Sequence, residues 1–344
     1  MQPTIRDVAI RAETSVSTVS RVLTGGGPVA EETRRRVLQA IADLGYKPNA
    51  LARGLVQKRT GTIGVILPDV SNPFCAEVLR GMGDVAAKHG LHLLLVNAEL
   101  SPAMEAESLA VLQEKQVDGV IYTSGTITPE HQELFRDLRR PVVLAATFDP
   151  GGQIPGVLVD SRKGAALAVQ YLADLGHRRI AVIRGPLRDK VAGEPRWEGY
   201  CDGARSRGIT LLPELTAEGD YRLESGYWAM DRFLNRKELP TAVVAASDLM
   251  AIGAMNAILD RGLRVPEDIS VVGFDNIWMA GAVRPALTTV AQPMYDIGAR
   301  AVALLAQALG ESGPVEPITH WIEPNIVVRK SATAVAGVGG PHRR

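Results

Sequence analysis

The stretch Thr4-Ile-Arg-Asp-Val-Ala-Ile-Arg-Ala-Glu-Thr-Ser-Val-Ser-Thr-Val-Ser-Arg-Val-Leu-Thr24 decides how this chain is read. Ile5, Val8, Ala9 and Ala12 fall at i, i+3, i+4 and i+7, the spacing of one apolar helical face. Thr4, with Asp7 three residues on, has the pattern of a capping box. Ser15 is placed to cap a second helix running to about Leu23, whose inward face is Val19, Val22 and Leu23. Steps of about 100° per residue then put Ser17 and Arg21 on the opposite side and Val16 at the exposed start. A third helix is predicted over 31–44, with Val37, Leu38, Ile41 and Leu44 inward and Gly45 as its stop. Helices this short need a shared core, so residues 1–46 read as an all-α helix-turn-helix head.

That geometry lays the second helix in a DNA major groove. There Arg21 can clasp guanine O6 and N7, Ser17 can donate or accept, and Val16 can meet a thymine methyl. A solvated helix face is the competing reading for one arginine and one serine taken alone. Charge favours DNA. The net charge is zero, yet residues 1–60 hold 10 Lys and Arg against 5 Asp and Glu, and the rest of the chain holds 28 against 33. A basic head on an acidic carrier follows.

Beyond residue 60 the texture changes. Residues 47–60, which include Pro48 and Gly54, read as a marginal hinge helix and linker. From Gly61 strand-like runs at 62–67, 91–97, 119–124, 142–146, 179–183, 242–246 and 270–274 alternate with amphipathic helices. That alternation means βαβ units and parallel sheets. So many units over about 270 residues favour two doubly wound subdomains with a cleft between them over a single barrel. Residues 331–344, rich in glycine and ending Pro-His-Arg-Arg, read as a disordered tail.

With 344 residues, 46% hydrophobic and 22% charged, the chain can bury a sizeable core. Two cysteines, Cys75 and Cys201, cannot build a disulfide framework or a four-ligand zinc site and read as small buried hydrophobes. No apolar run approaches the roughly 20 residues of a membrane span, and no export signal opens the sequence. His89 and His92 are too irregular for a metal pair. There is no P-loop, no G-x-S-x-G elbow, no G-x-G-x-x-G after a strand and no H-E-x-x-H. No enzyme, cofactor or metal is expected.

The sequence also resembles the LacI/GalR family of bacterial transcription regulators. The resemblance rests on Thr4-Ile-Arg-Asp-Val-Ala9, Thr18-Val-Ser-Arg-Val-Leu23, Leu44-Gly-Tyr-Lys-Pro-Asn49 and Ala52-Arg53. It continues through Ile63-Gly-Val-Ile-Leu-Pro-Asp69, Asn72-Pro-Phe74, Leu175-Gly-His177, Pro240-Thr-Ala-Val243, Asp268-Ile-Ser-Val-Val-Gly-Phe-Asp275, Leu287-Thr-Thr-Val290 and Gln292-Pro293. It implies a periplasmic-binding-protein-like α/β sensor in two doubly wound subdomains, one from 61–160 with 292–321, the other from 161–291 with 322–330.

It implies DNA contacts from Thr4, Val16, Ser17, Thr18, Ser20, Arg21, Asn49 and Arg53, and a minor-groove wedge at Leu55, which would bend the duplex. It implies effector contacts from Asp69, Phe74, Arg196, Tyr221, Ser247 and Asp275. Carboxylates and a guanidinium suit hydroxyls or an anionic group, and the two aromatic rings suit a ring face. Ser247 stands where many relatives carry Asn. Read without the family, Asp248 caps the helix that follows, Phe74 is core, and Arg196 makes a surface ion pair. Three departures stand out. Glu13-Thr14 replaces the usual Gly-Val in the first turn, Thr24 replaces Asn after the recognition helix, and Ala30 replaces the Ser or Thr that caps the third helix, at a cost of about 1 kcal/mol.

The expectation is therefore a cytoplasmic, homodimeric, ligand-responsive repressor of a carbohydrate-related operon. Its partners are a palindromic double-stranded operator and a small-molecule effector such as a sugar. A solute-binding protein with no DNA role is the alternative, and an α/β enzyme of sugar or nucleotide metabolism the third class.

Overall fold

The computed structural model describes residues 3–24, 27–46, 59–99, 101–310 and 315–335. It separates into two compact units, Met1–Gly61 and Thr62–Arg344.

Among its described residues the first unit has three helices, α1 (Ile5–Arg11), α2 (Val16–Thr24) and α3 (Glu31–Leu44). The capping box forms: the Thr4 amide donates to Asp7 Oδ2 at 2.8 Å and the Asp7 amide to Thr4 Oγ1 at 3.4 Å. Ser15 Oγ accepts from the Thr18 amide at 3.1 Å and so starts α2. Val8, Ala9, Ala12, Val19, Val22, Val37 and Ala40 form the buried core. Leu38, expected inside, is instead 51% exposed. Ala40 takes the inward position, because the face of α3 that meets the other helices lies one step round from the one the leucine marks. Ala30 makes no side-chain cap, and Gly45 closes α3 in the left-handed conformation at φ 61°.

The second unit holds two six-stranded sheets. The first has the order β11-β5-β4-β3-β1-β2 and is parallel throughout. Its strands are β1 (Thr62–Leu67), β2 (His92–Asn97), β3 (Gly119–Tyr122), β4 (Val142–Ala145), β5 (Gly156–Val159) and β11 (Thr319–Ile322). The second has the order β12-β10-β9-β8-β6-β7, with β12 alone antiparallel. Its strands are β6 (Ile180–Arg184), β7 (Thr216–Glu218), β8 (Ala242–Ala245), β9 (Ser270–Asp275), β10 (Thr288–Ala291) and β12 (Asn325–Val327). Two open sheets dispose of the single-barrel alternative. The chain passes between them three times, after β5, after β10 and after β11.

Central strands such as Gly119–Tyr122 and Ala242–Ala245 are buried at every position. This is why they read as continuous apolar runs rather than alternating ones. Helices Pro73–Lys88, Pro102–Glu114 and Pro129–Leu138 share one start signal, an N-cap from Asn72, Ser101 or Thr128 followed directly by proline. Proline fits there because its missing N–H would have had no helical partner.

The chain end differs from the expectation of a tail. Ser331 is fully buried, donates to the Val271 carbonyl at 2.6 Å and accepts from the Thr288 amide at 2.8 Å. The Val335 amide reaches the Leu175 carbonyl at 3.0 Å. Residues 331–335 are thus part of the second sheet's subdomain, held by main-chain bonds that composition does not reveal. The remainder, 336–344, lies outside the described residues.

Candidate functional site: a recognition helix and a sensor cleft

On α2, Val16, Ser17 and Arg21 are exposed, while Val19 and Val22 are buried on the other side. Thr18 and Ser20 are half-buried, and Thr4 is exposed but committed to the α1 cap. Ser15 Oγ holds Ser17 Oγ at 2.7 Å and Thr18 Oγ1 at 2.9 Å, so the helix start carries a hydroxyl cluster. Asn49, Arg53 and Leu55 lie outside the described residues. Glu13, in the departed turn, sits at φ 49° and its carboxylate is 3.8 Å from Arg36. A glycine would adopt that backbone without strain.

In the sensor, the candidate residues lie just past the carboxyl ends of strands. Asp69 follows β1, Tyr221 follows β7, Ser247 follows β8, and Asp275 ends β9. Phe74 opens the helix after β1, half-buried, with its amide bound to Asn72 Oδ1 at 2.9 Å. Strand carboxyl ends are where open parallel sheets receive ligands. A cavity of about 280 Å³ lined by Gln113, Gln116, Val117, Leu138, Arg139 and Arg140 lies instead beside the amino ends of β3 and β4.

Arg196 is buried, so the surface ion pair is overturned. Its guanidinium stacks 3.9 Å from the centre of the Phe274 ring, donates to the Ala246 carbonyl and stands 3.5 Å from Asp275 Oδ1. Its Nε has no hydrogen-bond partner among the described residues. Asp275 also accepts from Gln292 Nε2 at 2.7 Å. Burial pushes the Asp275 carboxyl up to about 6, against the pull of Arg196 and Gln292. Its φ is 117°, Asn276 follows at 64°, and Tyr221 stands at 68°. Non-glycine residues in such conformations cost about 1–3 kcal/mol each and gather where function fixes the backbone.

Tyr221 donates its hydroxyl to Asp189 Oδ2 at 2.6 Å, and burial raises its phenol further. Gly185 makes room for the ring, since a Cβ there would fall 2.3 Å from the tyrosine oxygen. Asp69 accepts from the Ser71 hydroxyl at 2.6 Å, which holds its carboxyl below the usual range.

The capping role read for Asp248 falls to Ser247. Ser247 is the N-cap, accepting from the Met250 amide at 3.2 Å and donating to the Tyr221 carbonyl at 3.2 Å. Asp248 is fully buried and turned under the sheet, accepting from the Ile277 amide at 2.8 Å and meeting Thr289 Oγ1 at 2.5 Å. Gly273 admits it, because a Cβ there would lie 2.3 Å from Asp248 Oδ1. Burial first, then the nearby Asp275 charge, pushes the Asp248 carboxyl well up. Sequence reasoning missed Asp189, gave Asp248 a capping role it does not have, and quoted Gln292 only within a family motif without assigning it to the site.

Cys75 is buried and its thiol is pushed up to about 12, while Cys201 is half-buried. Ser124, Glu105 and His131 also gather in the core. The serine donates to the glutamate rather than to the imidazole, which lies 2.9 Å from that glutamate, and all three side chains are buried in the core of the first sheet's subdomain. No group of three or more metal-ligating side chains occurs among the described residues, and no helix is long and apolar enough to cross a membrane.

A helix-turn-helix unit followed by a two-sheet sensor with polar residues at its strand ends defines a DNA-binding regulator. Residues 4–49 match the bacterial regulatory proteins of the lacI family, and residues 169–332 match the periplasmic binding protein-like domain. Catabolite control protein A of Priestia megaterium is 43% identical over 94% of this chain and 98% of its own length. Among solved structures, the lac repressor dimer bound to operator and the anti-inducer ONPF matches with TM-score 0.88 at 29% identity, over 97% of this chain and all of that one. The regulator CelR in complex with cellobiose matches with TM-score 0.73 at 32% identity, over 96% and 100%. This chain belongs to the LacI family of transcription regulators.

Proposed function

We propose that the protein is a cytoplasmic, ligand-responsive repressor of a carbohydrate-related operon. It acts as a homodimer whose two α2 helices meet successive half-sites of a roughly palindromic operator. Val16, Ser17 and Arg21 read base edges. Thr4, Thr18, Ser20, Asn49 and Arg53 hold the backbone, and Leu55 wedges the minor groove. A neutral sugar binds between the sheets, oriented by Asp69, Arg196 and Asp275 and stacked on Phe74 and Tyr221. Ser247 contributes by fixing the Tyr221 main chain. The chain performs no catalysis of its own.

One observation carries the reading: the buried Arg196 guanidinium with an unsatisfied Nε, set between Phe274 and Asp275 where the strands of the second sheet end. A buried donor without an acceptor costs about 1–3 kcal/mol, and a ligand hydroxyl would relieve it. The operator complex of the lac repressor and the cellobiose complex of CelR agree with the two halves of this reading. Effector and operator then become coupled, each changing the other's affinity by one factor, typically 5- to 150-fold.

The test is enrichment of genomic fragments on the purified protein, with and without a panel of sugars. Selective retention of a small set of fragments, altered by one class of sugar, is expected. Retention no better than bulk competitor DNA under every condition would overturn the reading.

A further inference from the structure

We propose that Arg329 is a positioning residue for the effector site. Its guanidinium clamps the side chain of Asn276, and through it fixes the left-handed Asp275–Asn276 turn that aims the Asp275 carboxylate at Arg196. The inference rests on the effector reading above and adds to it a residue that lies beyond the last strand of the second sheet.

Asp275 stands at φ 117° and Asn276 at φ 64°, two adjacent non-glycine residues in the left-handed half of backbone space. Such a pair persists only where its surroundings over-determine it. Here the pair reverses the chain. Asp275 is in register with Ala291 on β10, yet Asp248, which accepts from the Ile277 amide at 2.8 Å, meets Thr289 Oγ1 at 2.5 Å, two residues back along the same strand. The Asp275 carboxylate therefore projects from the apex of a fold-back, and its 3.5 Å separation from Arg196 is only as well defined as that apex. Three parts of the chain hold it. The Gln292 amide donates to the Asp275 carbonyl at 3.1 Å, Asp248 holds Ile277, and between them Arg329 Nη2 donates to Asn276 Oδ1 at 2.6 Å.

Arg329 is itself fixed before it reaches Asn276. It follows β12, where its main-chain amide donates to Thr288 Oγ1 at 2.9 Å and the Lys330 amide donates to the Ala286 carbonyl at 2.9 Å. Its Nη1 donates to the Leu287 carbonyl at 2.8 Å. One arm of the planar fork thus rests on main chain, which leaves the other arm aimed at Asn276 in a set direction. The residue is half-buried, and among the described residues its side chain has no carboxylate partner and no bond to any effector candidate. Ion pairing does not explain a cation drawn from water onto two neutral oxygens. The two-pronged reach of a guanidinium does, and a lysine ammonium lacks it. Asparagine completes the match, because it enters the left-handed region more readily than most residues and its amide oxygen is the acceptor. Tying down the chain end does not require the clamp, since Ser331 is bonded to Val271 and Thr288 on its own.

The test uses the full chain and two readouts. The first is titration calorimetry with glucose, galactose, mannose and ribose. For whichever of these binds the wild type, Arg329→Ala should raise Kd about tenfold, but less than about twofold when Asn276→Gly is already present, because glycine takes the left-handed turn unaided. A purely structural role would lower the urea midpoint equally in both backgrounds and leave the Kd of the folded protein where it was. The second readout needs no ligand. Burial raises the Asp275 carboxyl to about 6, so urea midpoints of proteins with Asp275 and with Asp275→Asn diverge as pH rises from about 4 to 7.5. In the Arg329→Ala background that divergence should shrink, because a released apex lets the carboxylate reach water. Arg329→Lys, which keeps the charge but reaches one acceptor, should fall between in both readouts and serves for both should the alanine variant fail to fold. If sugar binding requires Asp275 but the Arg329 substitution leaves Kd unchanged, or raises it equally in both backgrounds, the positioning role is wrong and the effector site stands. If no sugar of the panel binds, the effector reading falls, and an undiminished pH divergence then overturns the hold on Asp275 as well.

Discussion

Asp69 Oδ2 lies 3.5 Å from Arg222 Nη2, and this ion pair joins the loop after β1 of the first sheet to the loop after β7 of the second. It bridges the two walls of the cleft with one of the residues expected to hold the effector. The arginine is 70% exposed and the aspartate 33%, so the pair contributes well under 1 kcal/mol to folding. Its importance is in the relative position of the subdomains. Besides three crossovers, the two are joined by Ile277, Leu249 and Met279, which pack with the core of the first sheet's subdomain, and the pair adds a polar tie to that contact.

Arg222→Ala should therefore leave global stability within about 0.5 kcal/mol of wild type. It should also loosen the effector-free sensor. Small-angle scattering should give a larger radius of gyration for the variant without effector, returning to the wild-type value when effector is added. An unchanged radius would remove the pair from any role in closure.

The Asp275 carboxyl, raised to about 6 by burial, gives a pH dependence with a definite sign. Below about pH 4 the folded and unfolded chains both hold this proton and the group contributes nothing. As pH climbs from about 4 to 6 the unfolded chain releases the proton first, so stability falls relative to a chain lacking the group. Two pKa units correspond to about 3 kcal/mol. Asp248 shares the titration, since each carboxylate raises the cost of ionising the other. When protonated, Asp248 can donate to Thr289 Oγ1, whose own hydroxyl reaches the Val290 carbonyl at 3.4 Å. Urea midpoints of wild type and Asp275→Asn, measured from pH 4 to 7.5, should diverge, with the wild type losing ground. Parallel curves would mean that Asp275 ionises as freely as in water.

Glu13→Gly tests the departed turn. A left-handed L-residue costs about 1–2 kcal/mol, and glycine gives back about 0.4–1 through the unfolded chain. The first unit should gain up to about 1 kcal/mol. Removing a carboxylate 3.8 Å from Arg36 should also free that cation, strengthening operator binding severalfold and steepening its salt dependence by about one phosphate contact. Lower thermal stability, or operator affinity that does not rise, would contradict this account.

Arg21→Ala should weaken operator binding by about 1–3 kcal/mol and relax discrimination at one base pair. The check is a comparison of specific and random duplexes at fixed salt. An equal loss on both would assign Arg21 to phosphate.

The recognition helix was legible because its information is local. Ser15 followed by Val16-Ser-Thr-Val-Ser-Arg-Val-Leu fixes cap, buried face and exposed face through the helical repeat alone, and the structure orients Val16, Ser17 and Arg21 as that repeat requires. The longer parallel strands were legible for a similar reason, since complete burial leaves uninterrupted apolar runs. β3, β4 and β8 register at only four residues because they are apolar throughout, whereas β7, β11 and β12 carry polar, partly exposed residues and leave no such run.

By itself, then, the sequence determined a basic three-helix head, a doubly wound sensor and the family to which they belong. Local periodicity and capping chemistry act over a few residues, and the family motifs keep their spacing. Only the tertiary structure decided the partners inside the cleft. That Arg196 is buried on Phe274, that Ser247 and not Asp248 caps its helix, and that Asp69 meets Arg222 all depend on loops from different strands converging in space. Which side chains from distant loops meet, and what charges face them through space, is not written in the order of residues along the chain.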